Sequence, residues 1–322
     1  MNWFGKAKEF KDLACGRLSP TDFLELEFCE IPNGSYLPKN MVIQATEIPA
    51  VYKVQDEYRG ESGLRYFMDG VQRTILWQHY NFDGAQIPVF LHFSGAVIVE
   101  RIRADRFVPF DALYRSAVLV PAFIYEKYRG VEGLENTGAE KYWDINEIRA
   151  KASTKSRVLR QQIEQELMHR FLAAEKELLI KDGNIFGTMK AKQVVGLIKT
   201  HRTLYLQEKY PLVQQMIWNM SEFYRSMNFS MHLIENGAAS HRVNSFYLRI
   251  HQPSYPEMGL LRIEYNREID VNELSSWLIA ERCIRANCPR WDRQIYPIQV
   301  CEDYLRTQIP PSHQIQAVVK SF

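Results

Sequence analysis

Residues 64–76 read LRYFMDGVQRTIL, and residues 178–183 read LLIKDG. In both stretches a short apolar run with strand-like residues is followed directly by Asp-Gly. The glycine permits a close backbone approach or a positive φ after the acid. The repeated pattern predicts two strands that each end at an aspartate, Asp69 and Asp182. If the two strands are neighbours in one sheet, their carboxylates converge at the carboxyl ends of the strands.

The sequence around these strands predicts an α/β fold with a mixed sheet flanked by helices. Residues 64–103 alternate in polarity around a turn signal at 83–84, which predicts an antiparallel meander of at least three strands. A stripe of apolar residues predicts a long helix over 153–179. Strands and helices alternate after it, and the prolines at 310–311 stop the last helix. Sheets of this kind place active sites at strand ends.

Three segments lie outside the predicted core and differ from it in their sequence pattern. Residues 1–60 predict an N-terminal extension that opens with an amphipathic helix, suited to packing on the body or docking on a dimer mate or partner. Ser19 or Thr21 is a candidate cap for a second, short helix. Residues 104–150 predict a mixed helical and loop insertion, and residues 310–322 predict a C-terminal tail. The domain between them is expected to span 61–309.

Composition narrows the class of protein. The chain has 322 residues, 46% hydrophobic and 12% aromatic, as expected of a globular fold. The formal net charge is +2, so a nucleic-acid surface would be a local patch. Five cysteines, without the clustering of a zinc site, predict buried free thiols and a reducing, cytoplasmic compartment. No apolar run reaches the length of a membrane span.

The two aspartates predict a cation site, because convergent carboxylates raise each other's pKa unless a cation neutralises them. Such oxygen ligands favour Mn²⁺ or Mg²⁺, which orient a water and stabilise displacement at a phosphodiester. The long helix supplies a third carboxylate, Glu164 or Glu166. At about 100° per residue, Glu166 lies roughly 60° from Ile163 and Glu164 roughly 100° to the other side. Glu166 is therefore expected nearer the buried face and is the preferred metal ligand, beside Asp69 and Asp182.

Basic and aromatic residues after Asp182 suggest a nucleic-acid surface. A groove of such residues would follow a phosphate backbone and stack unpaired bases. The predicted nucleic-acid contacts are Lys192, Lys199, His201 and Arg202. The candidate stacking residues are Trp77, Tyr205, Tyr224 and Trp291. Aromatic residues in such positions more often belong to the core, and a core position is the alternative for each of them.

The order and spacing of these motifs resemble those of the NurA nucleases, the partners of the HerA hexameric ATPase. The resemblance covers about residues 60–306, and no single motif in it is long. Its motifs are FMDG (67–70), ELMHRFLAAEKELLIKDG (166–183), VVGLIKTH (194–201), SFYLRIH (245–251), GLLRIEY (259–265) and IYPIQVCEDYLR (295–306).

The resemblance implies an RNase H-like core and a homodimer. It implies Mn²⁺-dependent 5′→3′ exonuclease and single-strand endonuclease activity on DNA ends, together with a HerA-type ATPase, in DNA repair or antiviral defence. Carried over by motif, the helix glutamate would join Asp69 and Asp182 as a metal ligand. Lys199 would contact a phosphate.

The chain departs from the family pattern at two places. Val71 follows the first Asp-Gly, where the family usually has Ser. The last helix carries no His beyond its Tyr-Pro start, and Tyr296, Glu302 and Asp303 form a candidate last-helix site in its place. These departures keep a second hypothesis open, a catalytically weak RNase H-like scaffold that binds nucleic acid or the ATPase without cutting. In a third, the chain is an unrelated α/β binding module and both Asp-Gly pairs are turns.

Overall fold

The computed structural model describes residues 3–14, 16–25, 41–55, 62–185, 192–201, 203–235, 238–239, 242–284, 292–311, 313–315 and 317. Within them, fourteen strands form one mixed sheet with helices on its faces. The strands are β1 (Leu18–Glu25), β2 (Met41–Ala45), β3 (Val51–Lys53), β4 (Tyr66–Phe82), β5 (Ala85–Arg103), β6 (Arg106–Val120), β7 (Leu134–Asn136), β8 (Leu179–Asp182), β9 (Val194–Ile198), β10 (Tyr224–Ser226), β11 (Phe229–Glu235), β12 (Ala238–Ala239), β13 (Val243–Arg249) and β14 (Leu260–Tyr265). The helices are α1 (Gly5–Leu13), α2 (Ala122–Lys127), α3 (Ile145–Ala174), α4 (Pro211–Trp218), α5 (Val271–Ala280) and α6 (Tyr296–Gln308).

The long strands β4, β5 and β6 form an antiparallel meander. Residues 64–103 hold two of its strands, β4 and β5, rather than the predicted three or more, and β6 follows beyond that range. Asp83 and Gly84 both have positive φ, 48° and 77°, as a tight type I′ hairpin turn requires. β8 then adds parallel to β4, and β9 adds parallel to β8. The order through this region is β6-β5-β4-β8-β9, and β14, β13 and β11 continue the sheet beyond β9.

The strand that carries Asp69 does not end there, so the expected strand end is wrong for this residue. β4 continues to Phe82, because the residues after Gly70 keep pairing with β5 without interruption as far as Leu76. β8, by contrast, does end at Asp182. Asp69 therefore lies inside a long strand, beside the point where its short parallel neighbour stops.

Helices cover both faces of the sheet centre. α3 packs across β4, β5 and β6, and its Ile163 and Leu167 share a buried cluster with Met68. α6 packs on β4 and β5 from the opposite face, and Phe67 belongs to the cluster that contains its buried residues. Burial on both faces explains why these strands carry so many apolar residues in succession.

The helix ends follow from capping groups. α3 begins earlier than predicted, because the Asp144 side chain accepts a hydrogen bond from the Glu147 N–H at 2.9 Å. Asp270 caps α5 by accepting from the N–H groups of Asn272 and Glu273. α4 ends at Trp218, and residues 224–226 form β10.

The predicted helical and loop insertion at 104–150 is wrong for its first part, residues 106–120, which form a strand of the sheet. Its first part, β6, pairs with β5 along the sheet, and β7 adds parallel to β6. The Gly-rich stretch that suggested a loop does turn, with positive φ at Gly130, Gly133 and Gly138. That turning segment is short. β6 is a strand because it completes the meander, and α2 lies between β6 and the turning segment.

The N-terminal segment is also integrated in the sheet. β1 pairs with β4, β2 with β11 and β3 with β10. The short helix expected near Ser19 or Thr21 is wrong, because this backbone extends and pairs with the edge of β4. Docking on a partner stays a prediction for this segment. No helix within the described ranges combines the length and apolar character needed to cross a membrane.

Candidate functional site

The two aspartates of the Asp-Gly pairs lie side by side. β4 and β8 run parallel with Met68 opposite Lys181, so the next register position brings Asp69 beside Asp182. Side chains alternate along a strand, and Phe67, two residues before Asp69, lies in the cluster on the α6 face. The two strands are thus neighbours, which is the condition on which convergence of the aspartates depends, and the aspartates share the α6 face.

Asp69 is held in an environment that disfavours its charge. Its side chain is buried, and its Oδ1 accepts the N–H of Gly70 at 2.7 Å. Burial raises the pKa of Asp69 well above its ordinary value, and the charge of Asp182 raises it further. No cation of the described residues lies within ion-pair distance of Asp69, although Lys199 favours its charged form from farther away.

Lys199, directly after β9, supplies the nearest positive charge. Its Nζ donates to Asp182 Oδ2 at 2.9 Å. Burial lowers the pKa of Lys199, but the charges of Asp182 and Asp69 outweigh it and leave that pKa raised. The charge of Glu302 on α6 adds to this effect. Lys199 is therefore a cation fixed beside the two aspartates.

Two glycines allow the strand ends to approach this closely. Gly183, after Asp182, has a φ of 92°. A Cβ on Gly196 in β9 would lie 2.6 Å from the Gly183 carbonyl oxygen. The absence of a side chain at Gly196 thus leaves room for the turn that follows Asp182.

Glu164 is the α3 glutamate that reaches the sheet. Its side chain is buried, and a Cβ on Gly70 would lie 2.3 Å from Glu164 Oε1. The carboxylate therefore covers the backbone next to Asp69, and its charge contributes to the raised pKa of Asp69. The group that closely approaches the glycine of the first Asp-Gly pair is therefore the Glu164 side chain.

The expectation that Glu166 lies nearer the buried face is wrong. Its side chain is 48% exposed and pairs with Arg170 at 2.6 Å. The buried face of α3 shifts along the helix, since residues four apart advance about 40° around the axis. Near Ile163 this face has turned toward Glu164 and Met168, and Glu166 points away from the sheet.

Two cations that sequence reasoning missed hold Glu164. Arg160 lies 3.1 Å from Glu164 Oε1 and also donates to the Gly70 carbonyl at 3.0 Å. Lys181 Nζ lies 3.3 Å from Glu164 Oε2. Both had a sequence signal, because Arg160 is four residues before Glu164 on the helix and Lys181 directly precedes Asp182.

The donor types at this site suit a hard divalent cation, since Asp69, Asp182 and Glu164 all carry carboxylates. Their placement suits it less. In the described part of the chain, no three His, Cys, Asp or Glu side chains are grouped to hold a metal ion. Asp182 and Glu164 pair with Lys199, Lys181 and Arg160 instead. Only Asp69 and Asp182 share a face, so they are the residues best placed to hold a cation.

The remaining predicted nucleic-acid contacts are not brought together. Lys192 is exposed before β9, at the opposite end of that strand from Lys199. His201 donates from Nε2 to the Leu260 carbonyl at 2.8 Å, and burial lowers its pKa to about 4, so it is uncharged at neutral pH. Arg202 lies outside the described residues.

The candidate last-helix residues divide between two places. The charge of Glu302 acts on Lys199, and the Glu302 carboxylate pairs with Arg306 at 2.6 Å. Tyr296 and Asp303 line a separate groove at the start of α6. Cys301, also on α6, is buried. Its thiol donates to the Phe67 carbonyl at 3.4 Å, a hydrogen bond between α6 and the strand that carries Asp69.

The candidate stacking residues do not form a surface around this site. Trp77 is fully buried, so the core interpretation is correct for it. The Tyr205 ring lies under the Arg262 guanidinium at 4.2 Å, and Tyr224 pairs in β10. Trp291 lies outside the described residues.

No protein-family model matches this chain, and no curated protein matches it at a significant level. The NurA resemblance therefore remains an expectation from the sequence motifs. What the geometry adds is independent of it: two carboxylates and an amine converge beside the end of β8, and a third carboxylate covers Gly70.

Proposed function

We propose that this chain is a metal-dependent nuclease that hydrolyses phosphodiester bonds in DNA. The observation that carries the proposal is the pair Asp69 and Asp182, side by side on adjacent parallel strands with Asp69 buried. A buried carboxylate next to a second one costs stability, and perturbed groups of this kind cluster at functional sites. A divalent cation is the natural partner for such a pair.

The strand order supports an RNase H-like core for the proposed nuclease. A meander whose first strand takes a parallel strand on its free edge, after a connecting helix, is the arrangement that such a core requires. Here β4, β5 and β6 form the meander, α3 connects, and β8 and β9 add beyond β4. The proposed catalytic residues lie on β4 and at the end of β8.

The chain's own residues have distinct roles in the proposed reaction. Asp69 and Asp182 would hold Mn²⁺ or Mg²⁺, which when bound polarises a phosphate oxygen and activates a water. Lys199 would leave Asp182 as the cation binds and then contact the substrate phosphate. Glu164, through Arg160, fixes the Gly70 backbone and so orients Asp69.

The proposed partners follow from the resemblance to NurA nucleases. They are DNA, a HerA-type hexameric ATPase and a second copy of the chain. The net charge of +2 suits an enzyme that receives DNA from a motor better than one that captures DNA by itself. A role in DNA repair or antiviral defence belongs to the same proposal.

The alternative is a catalytically weak scaffold, and one observation favours it. Three cations, Lys199, Lys181 and Arg160, stand against the three carboxylates, and two of those carboxylates are paired. The chain also lacks the Ser and the last-helix His of the family pattern. A scaffold of this kind would bind nucleic acid or the ATPase and leave DNA intact.

Cleavage of labelled single-stranded and double-stranded DNA with Mn²⁺, Mg²⁺ or EDTA tests the proposal. We expect metal-dependent cleavage by the wild type and a loss of at least about 100-fold in Asp69→Asn and Asp182→Asn. Asp83→Asn is the matched control, because Asp83 belongs to an Asp-Gly pair that is only a turn. Retained cleavage in Asp69→Asn would overturn the assignment. No cleavage by the wild type, alone or with a cognate ATPase, would favour the scaffold.

A further inference from the structure

A groove of about 730 Å³ lies between the β5–β6 hairpin, the end of α5 and the start of α6. A smaller pocket of about 370 Å³ shares Arg101 and Glu281 with it and extends it to Arg103. Volumes of this size accommodate a small molecule or a nucleotide. The charged and aromatic residues that line the groove include Arg101, Glu281, Arg282, Tyr296 and Asp303, and Arg103 lines the smaller pocket.

The floor of the groove is rigid. Arg101 and Glu281 form a largely buried ion pair there. The Arg101 guanidinium also lies over the rings of Phe67 and Phe107, at 5.4 Å and 5.1 Å from their centroids. Packing on two rings and pairing with a carboxylate fix this arginine as part of the wall.

One aromatic ring stands at the rim. The Tyr296 side chain is 49% exposed. Its ring contacts Phe107 edge-on at 5.9 Å, and its backbone N–H donates to the Glu281 carbonyl at 2.7 Å. A ring that is half exposed and held at its edge is a platform for stacking a planar group.

Two further arginines leave positive charge at the groove. Arg103 is exposed, and Arg282 is held over the Phe223 ring at 5.0 Å. Neither makes an ion pair with any of the described residues. Asp303 lies on the α6 side and offers a hydrogen-bond acceptor. Cations beside an aromatic platform match the phosphate and base of a nucleotide.

The groove extends toward the acidic site. Cys283 donates its thiol to Gln299 Oε1 at 3.4 Å across the groove. Burial raises the pKa of Cys283 to about 11, and the charges of Lys199 and Asp303 act on it in opposite directions. The Cys283 N–H donates to the Gln294 carbonyl at 3.0 Å, and the neighbouring Arg293 donates to the Lys199 carbonyl at 3.0 Å. The Cys283 end of the groove is therefore near Lys199, which pairs with Asp182.

We propose that this groove binds an unpaired nucleotide of single-stranded DNA, with its base stacked on Tyr296 and its phosphate between Arg103 and Arg282. The path of the strand from this groove to a scissile phosphate at Lys199 rests on the proposed function. The substrate is single-stranded DNA, because a base must leave the duplex before it can stack on a ring inside a groove.

Binding of a fluorescein-labelled oligothymidine of about 12 nucleotides, followed by anisotropy in EDTA, tests the groove without cleavage. Tyr296→Ala should weaken binding about 5- to 20-fold, and Tyr296→Phe should weaken it less than about 2-fold, because the ring is kept. Arg103→Ala should lower the slope of log Kd against log salt by about one. A blunt duplex of the same length should bind more weakly than the single strand.

The matched controls are Trp143→Ala and Arg129→Ala, an aromatic residue and an arginine with exposed side chains away from the groove. Both should bind like the wild type. Equal binding by Tyr296→Ala and wild type, or equal losses in Tyr296→Ala and Trp143→Ala, would overturn the groove. So would a duplex that binds as tightly as the single strand.

The two proposals fail in different experiments. If Asp69→Asn abolishes cleavage and Tyr296→Ala binds normally, the nuclease stands and the groove is overturned. If the wild type cuts no DNA and Tyr296→Ala binds single-stranded DNA more weakly than the wild type, the groove stands without the nuclease. Within an active enzyme, Tyr296→Ala should raise KM by a similar factor and change kcat by less than about 2-fold.

Discussion

At the residue scale, the candidate site depends on Gly70. The missing side chain lets the Glu164 carboxylate lie against the β4 backbone, while the Gly70 N–H donates to Asp69 and its carbonyl accepts from Arg160. One glycine thus joins both carboxylates to one peptide segment. A local turn does not explain the glycine at position 70, because Gly70 has no positive φ and β4 continues through it.

Gly70→Ala should lower the free energy of unfolding by about 1–3 kcal/mol, because the new Cβ would lie 2.3 Å from Glu164 Oε1. Urea unfolding measures the stability, and metal-dependent cleavage should fall as Asp69 shifts. The three atoms nearest the new Cβ all belong to Glu164. Gly70→Ala combined with Glu164→Ala should therefore be no less stable than Glu164→Ala alone. A Gly70→Ala protein as stable and active as wild type would contradict this account.

Asp69 should make the metal-free protein less stable as pH rises. Its folded-state pKa is raised, first by burial and then by Asp182, so the folded state binds the proton more tightly than the unfolded state. This contribution is fully present below the ordinary pKa of about 4 and is lost as pH rises through the folded pKa.

Asp69→Asn should therefore be more stable than wild type at pH 7 in EDTA, by about 1–3 kcal/mol, since the amide cannot ionise. The difference should shrink toward about pH 4. Thermal unfolding across pH measures it, and Mn²⁺ should stabilise the wild type but not the variant. A difference that does not change with pH would show that ionisation of Asp69 is not its cause.

At the element scale, α3 illustrates how a helix selects between two similar residues. Glu164 and Glu166 lie two positions apart, yet one faces the sheet and the other faces solvent. The long helix crosses three strands, so its contact face drifts around the axis along its length. A single stripe drawn from its first turns misplaces residues farther along.

Glu164→Gln should destabilise the protein by about 2–4 kcal/mol, because it leaves Lys181 and Arg160 near the sheet without their carboxylate. Glu166→Gln is the matched control and should change stability by less than about 0.5 kcal/mol, since it removes only an exposed pair with Arg170. Chemical denaturation and cleavage assays of both variants measure the contrast. Equal effects of the two substitutions would contradict the orientation of α3.

At the scale of the whole molecule, the N-terminal segment belongs to the body of the fold. The Phe10 ring is fully buried and contacts Tyr128 edge-on at 5.3 Å and Trp77 at 6.4 Å. β1, β2 and β3 each pair with a strand from another part of the chain. The sheet is therefore assembled from segments far apart in sequence.

Phe10→Ala should destabilise the isolated protein by about 3–5 kcal/mol, the usual cost of removing a buried aromatic ring. Leu13→Ala on the same helix is the control and should cost less than about 1 kcal/mol, because Leu13 is 56% exposed. Thermal unfolding of the isolated chain compares the two. A Phe10→Ala protein with unchanged stability would return α1 to the status of a detachable docking segment.

The sequence by itself determined the α/β class, an antiparallel strand pair around the hairpin turn at Asp83, and two Asp-Gly pairs after apolar runs. These features depend on periodicity and on backbone preferences within a few residues, which any local stretch carries. The expected convergence of Asp69 and Asp182 needed only one assumption, that their strands are neighbours.

Only the tertiary structure decided which glutamate reaches the sheet, which cations hold it, and that the segments before 60 and after 104 complete the sheet. Strand pairing and the choice of a helix face depend on contacts between segments far apart in the chain, and local patterns do not encode those contacts. The β1 segment is an example. Its sequence is compatible with a helix cap, yet its backbone forms a strand that pairs with β4. The physical reason is that backbone hydrogen bonds and buried area are gained only once distant segments meet.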